Sequence, residues 1–357
     1  MTTSPDAPAI RILTKADAAS LAGVDAIIDT RSPSEFAEDH IPGAINLPVL
    51  SDEERAVVGT LYVRSRFEAR KLGAALVARN IAAHLEGALA DKPDDFRPLV
   101  YCWRGGQRSH AMATILSQVG WRTSLLQGGY KTYRRMVQDR LYGEGAGPGL
   151  ILIDGNTGTG KTAVLHRLTA RGLQVLDLEG LADHRGSLLG GYADRAQPSQ
   201  KLFESRLLAA LDDLDPARPT LAEAESSKIG ERMIPPLVWR AMQAAPRIEL
   251  EATPEARADF LVRAYGDLID NVSGLERLVQ RLPVHPSRPR LEAWRAMIEA
   301  GDFRALALAL MELHYDPAYA RSARRETRAR MAVVAVDPSS EAGLEAAADA
   351  VARLVGA

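Results

Sequence analysis

Apolar residues fall along this chain in two kinds of run that alternate. Short, nearly continuous runs bounded by turn residues predict buried strands at Ala26–Asp29, Arg97–Tyr101, Thr123–Leu126, Leu150–Asp154, Gln174–Leu178, Thr220–Glu225, Arg247–Leu250 and Met331–Val336. Between them, apolar positions recur every three or four residues and predict helices. A short strand and helix open residues 10–30, and another short helix starts at Ser34. Helical spacing runs through 53–90 (Val57, Leu61, Leu72, Leu76, Ile81, Leu85), and resumes from about Ser109, at Ala163–Arg171 and from about Ser199 to Leu214. Residues 255–330 read as almost wholly helical. Strand–helix alternation of this kind predicts an α/β fold with mainly parallel sheets, its reactive loops at the C-terminal ends of strands.

One segment interrupts the pattern. Gly143–Gly149 holds four glycines and a proline in seven residues, the composition of a linker. It divides the chain into a first domain, 1–142, and a second, 150–357, whose C-terminal region is helical. Each is long enough to bury its own core.

Composition then excludes several classes. Apolar content of 46% and charged content of 25% are those of a globular protein. No apolar run approaches the ~20 residues needed to span a bilayer. The polar start, Met1 to Ala9, lacks the pattern of a secretory signal. A single cysteine excludes an internal disulfide and points to a reducing cytoplasm. Net charge is −2, with 18 Lys+Arg against 17 Asp+Glu in residues 1–147 and 26 against 29 beyond them. Neither half is a basic domain, so RNA binding would need a local patch. The clearest is Arg321, Arg324, Arg325, Arg328 and Arg330, whose steps of three and four put most of them on one helix face. A solvated surface helix would look the same.

Chemistry concentrates in two loops. Gly155-Asn156-Thr157-Gly158-Thr159-Gly160-Lys161-Thr162 follows a predicted strand and opens a helix, the full context of a Walker A loop. Its glycines let backbone N–H groups curl around phosphate oxygens, while the helix N-terminus adds positive potential. Lys161 would reach the terminal phosphates and Thr162 would ligate Mg²⁺, with Asp177 or Glu225 as the carboxylate; Glu179 and Glu223 also lie near strand ends. Such a loop reads phosphate, so ATP, GTP or another diphosphate suits it equally, and no tightly bound organic cofactor is expected. The second loop is Cys102-Trp103-Arg104-Gly105-Gly106-Gln107-Arg108-Ser109. Here the cysteine lies between a strand and a helix N-terminus, close to Arg104 and Arg108, a setting that favours thiolate.

The first domain resembles rhodaneses. The resemblance is carried by Asp29-Thr30-Arg31 with Glu35-Phe36, by His40-Ile41-Pro42-Gly43-Ala44-Ile45-Asn46-Leu47-Pro48, by the cysteine loop, and by Gly128-Gly129-Tyr130. It implies that Cys102 carries a persulfide or selenium, that Arg31 and Glu35 pair one helical turn apart, and that His40 packs and hydrogen-bonds. The spacing Cys102 to Arg108 is C-x5-R, the loop length of Cdc25-type phosphatases, whereas many rhodaneses read C-x4-R. Tyr101 stands where those phosphatases carry His.

A rhodanese-like domain followed by a P-loop NTPase-like domain resembles the tRNA 2-selenouridine synthases over essentially the whole chain. Further blocks support it: Leu178-Glu179-Gly180-Leu181-Ala182, His184-Arg185-Gly186-Ser187, Gln197-Pro198-Ser199-Gln200, Phe203-Glu204, Glu223-Ala224-Glu225-Ser226 and Lys228-Ile229-Gly230. Leu189-Gly190 replaces the family's Phe-Gly. The resemblance implies conversion of wobble 2-thiouridine in tRNA to 2-selenouridine through an S-geranyl intermediate. Its implied partners are geranyl diphosphate and selenophosphate, together with the synthetase that makes selenophosphate. Lys161 would stabilise departing diphosphate, and Cys102 would act as a selenopersulfide or as a thiolate relaying selenium. Two alternatives stand beside it: a sulfurtransferase or Cdc25-like phosphatase fused to a small-molecule kinase, and a sulfur-carrier scaffold with a nucleotide switch.

Overall fold

The computed structural model describes residues 8–187, 190–192, 194–224, 226–269, 287–323 and 326–356. The chain forms two compact units, one of residues 1–143 with 204–212, the other of 144–203 with 213–357.

The first unit is built on five parallel strands: β1 (Arg11–Leu13), β2 (Ala26–Asp29), β3 (Ala44–Asn46), β4 (Pro98–Tyr101) and β5 (Ser124–Leu126). Their order is β1-β5-β4-β2-β3. All four residues of β4 are buried, as a central parallel strand covered on both faces requires. One face packs Ile28, Val100, Met112, Leu116 and Leu125, and the other packs Leu99, Tyr101, Leu126, Tyr130 and Tyr133. The helices are α1 (Ala18–Leu21), α2 (Pro33–Glu38), α3 (Asp52–Arg64), α4 (Arg66–Glu86), α5 (Gln107–Val119) and α6 (Tyr130–Tyr142). The helical stretch predicted over 53–90 is two helices. Ser65 leaves helical geometry (φ −150°) and caps the second by accepting the Glu68 N–H. Gly120, at φ +110°, ends α5 in the left-handed conformation that glycine adopts without strain.

The second unit holds β6 (Leu150–Asp154), β7 (Gln174–Leu176), β8 (Thr220–Glu223), β11 (Arg247–Glu251) and β12 (Arg330–Ala335), parallel in the order β12-β11-β6-β8-β7. A two-stranded hairpin, β9 (Lys228–Ile229) with β10 (Arg232–Met233), turns on Gly230 at φ +56°; its strands are too short for periodicity to show. Helices α7 (Lys161–Ala170), α8 (Leu178–Leu181), α9 (Gln200–Asp212, counted with the first unit from Glu204 on), α10 (Pro236–Ala244), α11 (Pro254–Ala264) and α12 (Gly266–Ile269) follow. Next come α13 (Arg288–Glu299), α14 (Phe303–Leu310), a π-helical turn Met311–Tyr315, α15 (Asp316–Ala323) and the closing α16 (Glu341–Leu354). The sheet core is Ile153, Leu165, Leu221, Ile248 and Leu250, and Trp294, Ile298, Leu306 and Leu310 form a separate cluster among the late helices.

Both sheets are parallel α/β layers, as the alternation predicted. In each, the chemistry-bearing loop leaves a central strand where the strand order reverses direction: after β4 in the first unit and after β6 in the second. Ligands bind at such crevices because the connections diverge there and leave the strand ends open.

Candidate functional site

The cysteine loop closes on its sulfur. Cys102 is 3% exposed, and its Sγ accepts the Gly106 N–H at 3.2 Å and the Ser109 hydroxyl at 3.1 Å. The loop is locked from outside by the segment after β5. Tyr130 N–H donates to the Cys102 carbonyl (2.8 Å) and Lys131 N–H to that of Trp103 (3.2 Å). That packing explains Gly128-Gly129, since any Cβ at Gly129 (φ +59°) would collide with the Cys102 carbonyl. The sequence put Arg104 and Arg108 beside the sulfur. Among the described residues neither bonds to it: Arg104 is exposed, and Arg108 pairs with Glu35 at 2.8 Å.

The Arg31–Glu35 pair expected from the rhodanese resemblance does not form. Arg31 precedes α2, so its guanidinium folds back onto Asp29 (2.6 Å) and lies over the Tyr130 ring at 4.2 Å. Glu35 instead holds Arg108 and Arg55 (3.3 Å); burial opposes its charge, but Arg108 wins and keeps the carboxyl below its usual range. His40 packs as expected, stacked on Phe36 with Nδ1 at 2.8 Å from the Phe36 carbonyl. Asp39 is the buried acid the sequence did not flag. Desolvation raises its pKa even though it accepts the Tyr130 hydroxyl at 2.7 Å.

The phosphate loop turns through three left-handed glycines, Gly155, Gly158 and Gly160. At Gly155 a Cβ would stand 2.7 Å from the Leu250 carbonyl, so only glycine lets the loop leave β6 beside β11. Lys161 Nζ donates to the Gly155 carbonyl at 2.9 Å and lies 5.9 Å from the centre of the Tyr319 ring. Thr159 Oγ1 donates to the Asn156 carbonyl (2.9 Å). A brace that local sequence could not reveal comes from α11. Buried Arg257 donates from Nε to the Thr157 carbonyl (2.8 Å) and grips Asp316 with both terminal nitrogens (3.1 and 2.6 Å).

Of the carboxylates named near Thr162, Glu179 is the described one that its hydroxyl meets, and Asp177 is turned to another task. Asp177 caps α8 by accepting the Gly180 N–H (2.7 Å) and contacts His166 (3.0 Å). Glu179, 7% exposed, accepts the Thr162 hydroxyl at 2.7 Å. Glu223 accepts the Leu178 N–H (3.0 Å). Glu225, Leu189, Arg324 and Arg325 lie outside the described residues. Among the described residues no cluster of three or more metal-binding side chains occurs, and no helix is long and apolar enough to cross a membrane.

Two chambers meet at this loop. A polar one, about 860 Å³ counting space open to solvent, is lined by Lys161, Thr162, Glu179, Arg185 and Tyr319. An apolar one, about 570 Å³ on the same count, is lined by Leu261, Ile269, Phe303, Leu306 and Leu310. Thr157, Ser187, Leu261 and Tyr265 border both. Arg185, from the His-Arg-Gly-Ser block, has its guanidinium 4.2 Å from the Tyr192 ring centre and 4.8 Å from that of Tyr265, and pairs with Asp267 at 2.7 Å. His184 is buried, which lowers its pKa and suits the neutral ring that accepts the Gly186 N–H at 3.1 Å.

The described arginines of the cluster, Arg321, Arg328 and Arg330, do not share one helix face. Helix α15 ends at Ala323; Arg321 is its exposed member. Arg328 lies in the loop beyond, chelated by Glu326, and Arg330 opens β12, where it pairs with Glu249 at 3.1 Å. The hydrogen bond from Arg328 lowers the Glu326 carboxyl to about 2 from its usual 4.5. Depression of a carboxyl stabilises the fold above its unfolded pKa, and the gain disappears as pH falls through the folded one. Arg328→Ala is therefore expected to lose on the order of 1 kcal/mol at neutral pH, after solvent screening. Urea titrations should show that gap closing between about pH 4.5 and pH 2; a gap independent of pH refutes the ion pair as its source.

Comparison with known proteins agrees with this architecture. A family model for rhodanese-like domains matches residues 14–136, and one described as the tRNA 2-selenouridine synthase AAA domain matches 148–282. A tRNA 2-selenouridine synthase from Cupriavidus pinatubonensis is 35% identical over 82% of this chain and 87% of its own. One from Bordetella petrii is 33% identical over 85% and 88%. With relatives this similar along nearly their full length, the chain belongs to the tRNA 2-selenouridine synthase family, and it is a transferase-type enzyme built from a rhodanese-like and a P-loop domain.

Proposed function

We propose that the protein converts wobble 2-thiouridine in tRNA to 2-selenouridine in two steps, using geranyl diphosphate and then selenophosphate. The observation that carries the prenyl step is the junction at the phosphate loop. A nucleotide has no need of an apolar chamber walled by Leu261, Phe303, Leu306 and Leu310 beside its phosphates, whereas a prenyl diphosphate is an anion joined to a hydrocarbon.

In the first step the thiouridine sulfur bonds to C1 of the geranyl chain, and the C1–O bond breaks with its electron pair leaving on diphosphate. Lys161 and the loop N–H groups hold that anion as its charge grows. Thr162 and Glu179 offer hard oxygen donors in a polar chamber, a set suited to Mg²⁺, which would supply charge neutralisation there. In the second step the Cys102 thiolate bonds to C2 as the bond from C2 to the geranylated sulfur breaks and geranylthiolate departs with the electron pair; the selenium of selenophosphate then bonds to C2 as Cys102 leaves, and water cleaves the Se–P bond to release phosphate. Sulfur on a thiocarbonyl carbon leaves poorly, and alkylation makes it a good leaving group. Cys102 is the nucleophile of this step, with the Gly106 N–H and Ser109 O–H placed where charge gathers on it. Exposed Arg321 is the described arginine we assign to tRNA phosphate.

The test is to incubate the purified protein with a 2-thiouridine anticodon stem-loop RNA and geranyl diphosphate, digest the RNA, and weigh its nucleosides. S-geranyl-2-thiouridine is expected, and 2-selenouridine once selenophosphate is added. No consumption of geranyl diphosphate, with ATP or GTP turned over instead, overturns the reading.

A further inference from the structure

A third cleft opens beside the start of the phosphate loop, at Gly155 and Asn156. It is lined by Asn156, Trp239, Arg247 and Tyr319, among others, and encloses about 1590 Å³ of space continuous with solvent. Gly186 and Tyr319 line this cleft and the polar chamber alike, and the next residue, Ser187, lines both the polar and the apolar chambers. The three spaces therefore converge at Gly186-Ser187.

The walls of this cleft select against a bare anion. Arg247 is paired with Asp154 (3.1 Å) and Glu249 (2.9 Å), so its charge is already balanced. The other charged groups of the lining are likewise paired, Asp316 with Arg257 and Glu326 with Arg328, so what remains for a ligand is flat and neutral. Trp239, half-buried on α10, offers an aromatic surface. The buried Nε–H of Arg247 meets no acceptor among the described residues, a state that leaves it open to a water or a ligand. Asn156 gives one amide hydrogen to Asp316 at 3.3 Å, which leaves its second hydrogen and its oxygen. An amide with one donor and one acceptor complements the edge of a uracil ring, which presents N3–H and O4.

We infer that this cleft holds the acceptor base, a uracil-type ring of RNA swung out of its stack onto Trp239, with Arg247 Nε–H and the Asn156 amide reading its edge. A base seated there shares the Gly186 and Tyr319 walls with the chamber proposed for the diphosphate. The assignment of the ring as 2-thiouridine rests on the proposed function; the cleft as a base site does not.

Binding is measured with the full chain and an anticodon stem-loop RNA carrying wobble 2-thiouridine, in the absence of geranyl diphosphate. Trp239→Ala is expected to raise the RNA Kd by about 5- to 150-fold, the loss of one base–aromatic stack. Trp239→Phe should restore most of it, and geranyl diphosphate affinity should stay at the wild-type value in both. Near-ultraviolet cross-linking of wild-type protein to the same RNA with 4-thiouridine at the wobble position should label α10 or α15, a readout independent of how the variants fold. An unchanged RNA Kd in folded Trp239→Ala, or cross-links confined to other elements, overturns the inference. If Trp239-dependent RNA binding is found but no S-geranyl product forms, the cleft stands and the prenyl reading fails.

Discussion

Cys102→Ser is expected to abolish selenium incorporation, by at least about 10³-fold, while leaving geranylation of thiouridine within a few-fold of wild type. The reason is chemical. Removing the nucleophile of a step built around it costs most of that step's rate, and a serine hydroxyl at neutral pH is a weak substitute for a cysteine sulfur. The exchange changes one atom inside a loop whose bonds are mostly backbone: Tyr130 N–H to the Cys102 carbonyl and Lys131 N–H to that of Trp103. Folding should therefore survive. Quantifying both nucleosides in the same digests decides the matter, and equal loss of the two products in a folded variant would sink the division of labour.

Lys161→Ala should have the converse signature. The ammonium is held at the loop by the Gly155 carbonyl, on the floor of the polar chamber. Without it the departing diphosphate loses a preorganised cation, an effect on the order of 10²–10³ in rate. Calorimetric affinity for geranyl diphosphate should fall at least about tenfold in parallel, the loss of one charge-assisted contact. Exchange of selenium into RNA that already carries S-geranyl-2-thiouridine should continue. Unchanged geranyl diphosphate affinity in this variant would mean that the loop serves another ligand.

Much of this architecture can be read from the chain, and what cannot has a physical pattern. Strands β4 and β6 and the loops after them were legible because parallel-sheet centres are continuous apolar runs and because glycines fix the loops that follow. The identity of the acid on Thr162 was not legible. Asp177 and Glu179 stand two residues apart, and only the start of α8 at Leu178 turns the first into a helix cap and frees the second to face the loop. Arg31 and Glu35 have helical spacing, yet Arg31 lies before the helix begins, so the spacing misled. Among the described arginines of the cluster the same holds, since Arg328 and Arg330 lie beyond α15 and follow loop and strand geometry. Arg257, which braces Thr157 from a hundred residues away, leaves no trace in local sequence, because an arginine on an amphipathic helix reads as surface until tertiary contacts bury it.

The enclosure of Cys102 also bears on how this enzyme meets oxidants. The sulfur is 3% exposed and is the single thiol of the chain. At that exposure a molecule as bulky as glutathione reaches the sulfur only if the Gly105–Ser109 segment opens, and a peroxide needs a far smaller opening. A sulfenic acid formed there has no resolving cysteine in the same polypeptide, so the usual escape into an intramolecular disulfide is closed. Reduction must come from a bulky partner and must wait for the loop to move, while further oxidation to the sulfinic acid takes only a second molecule of peroxide.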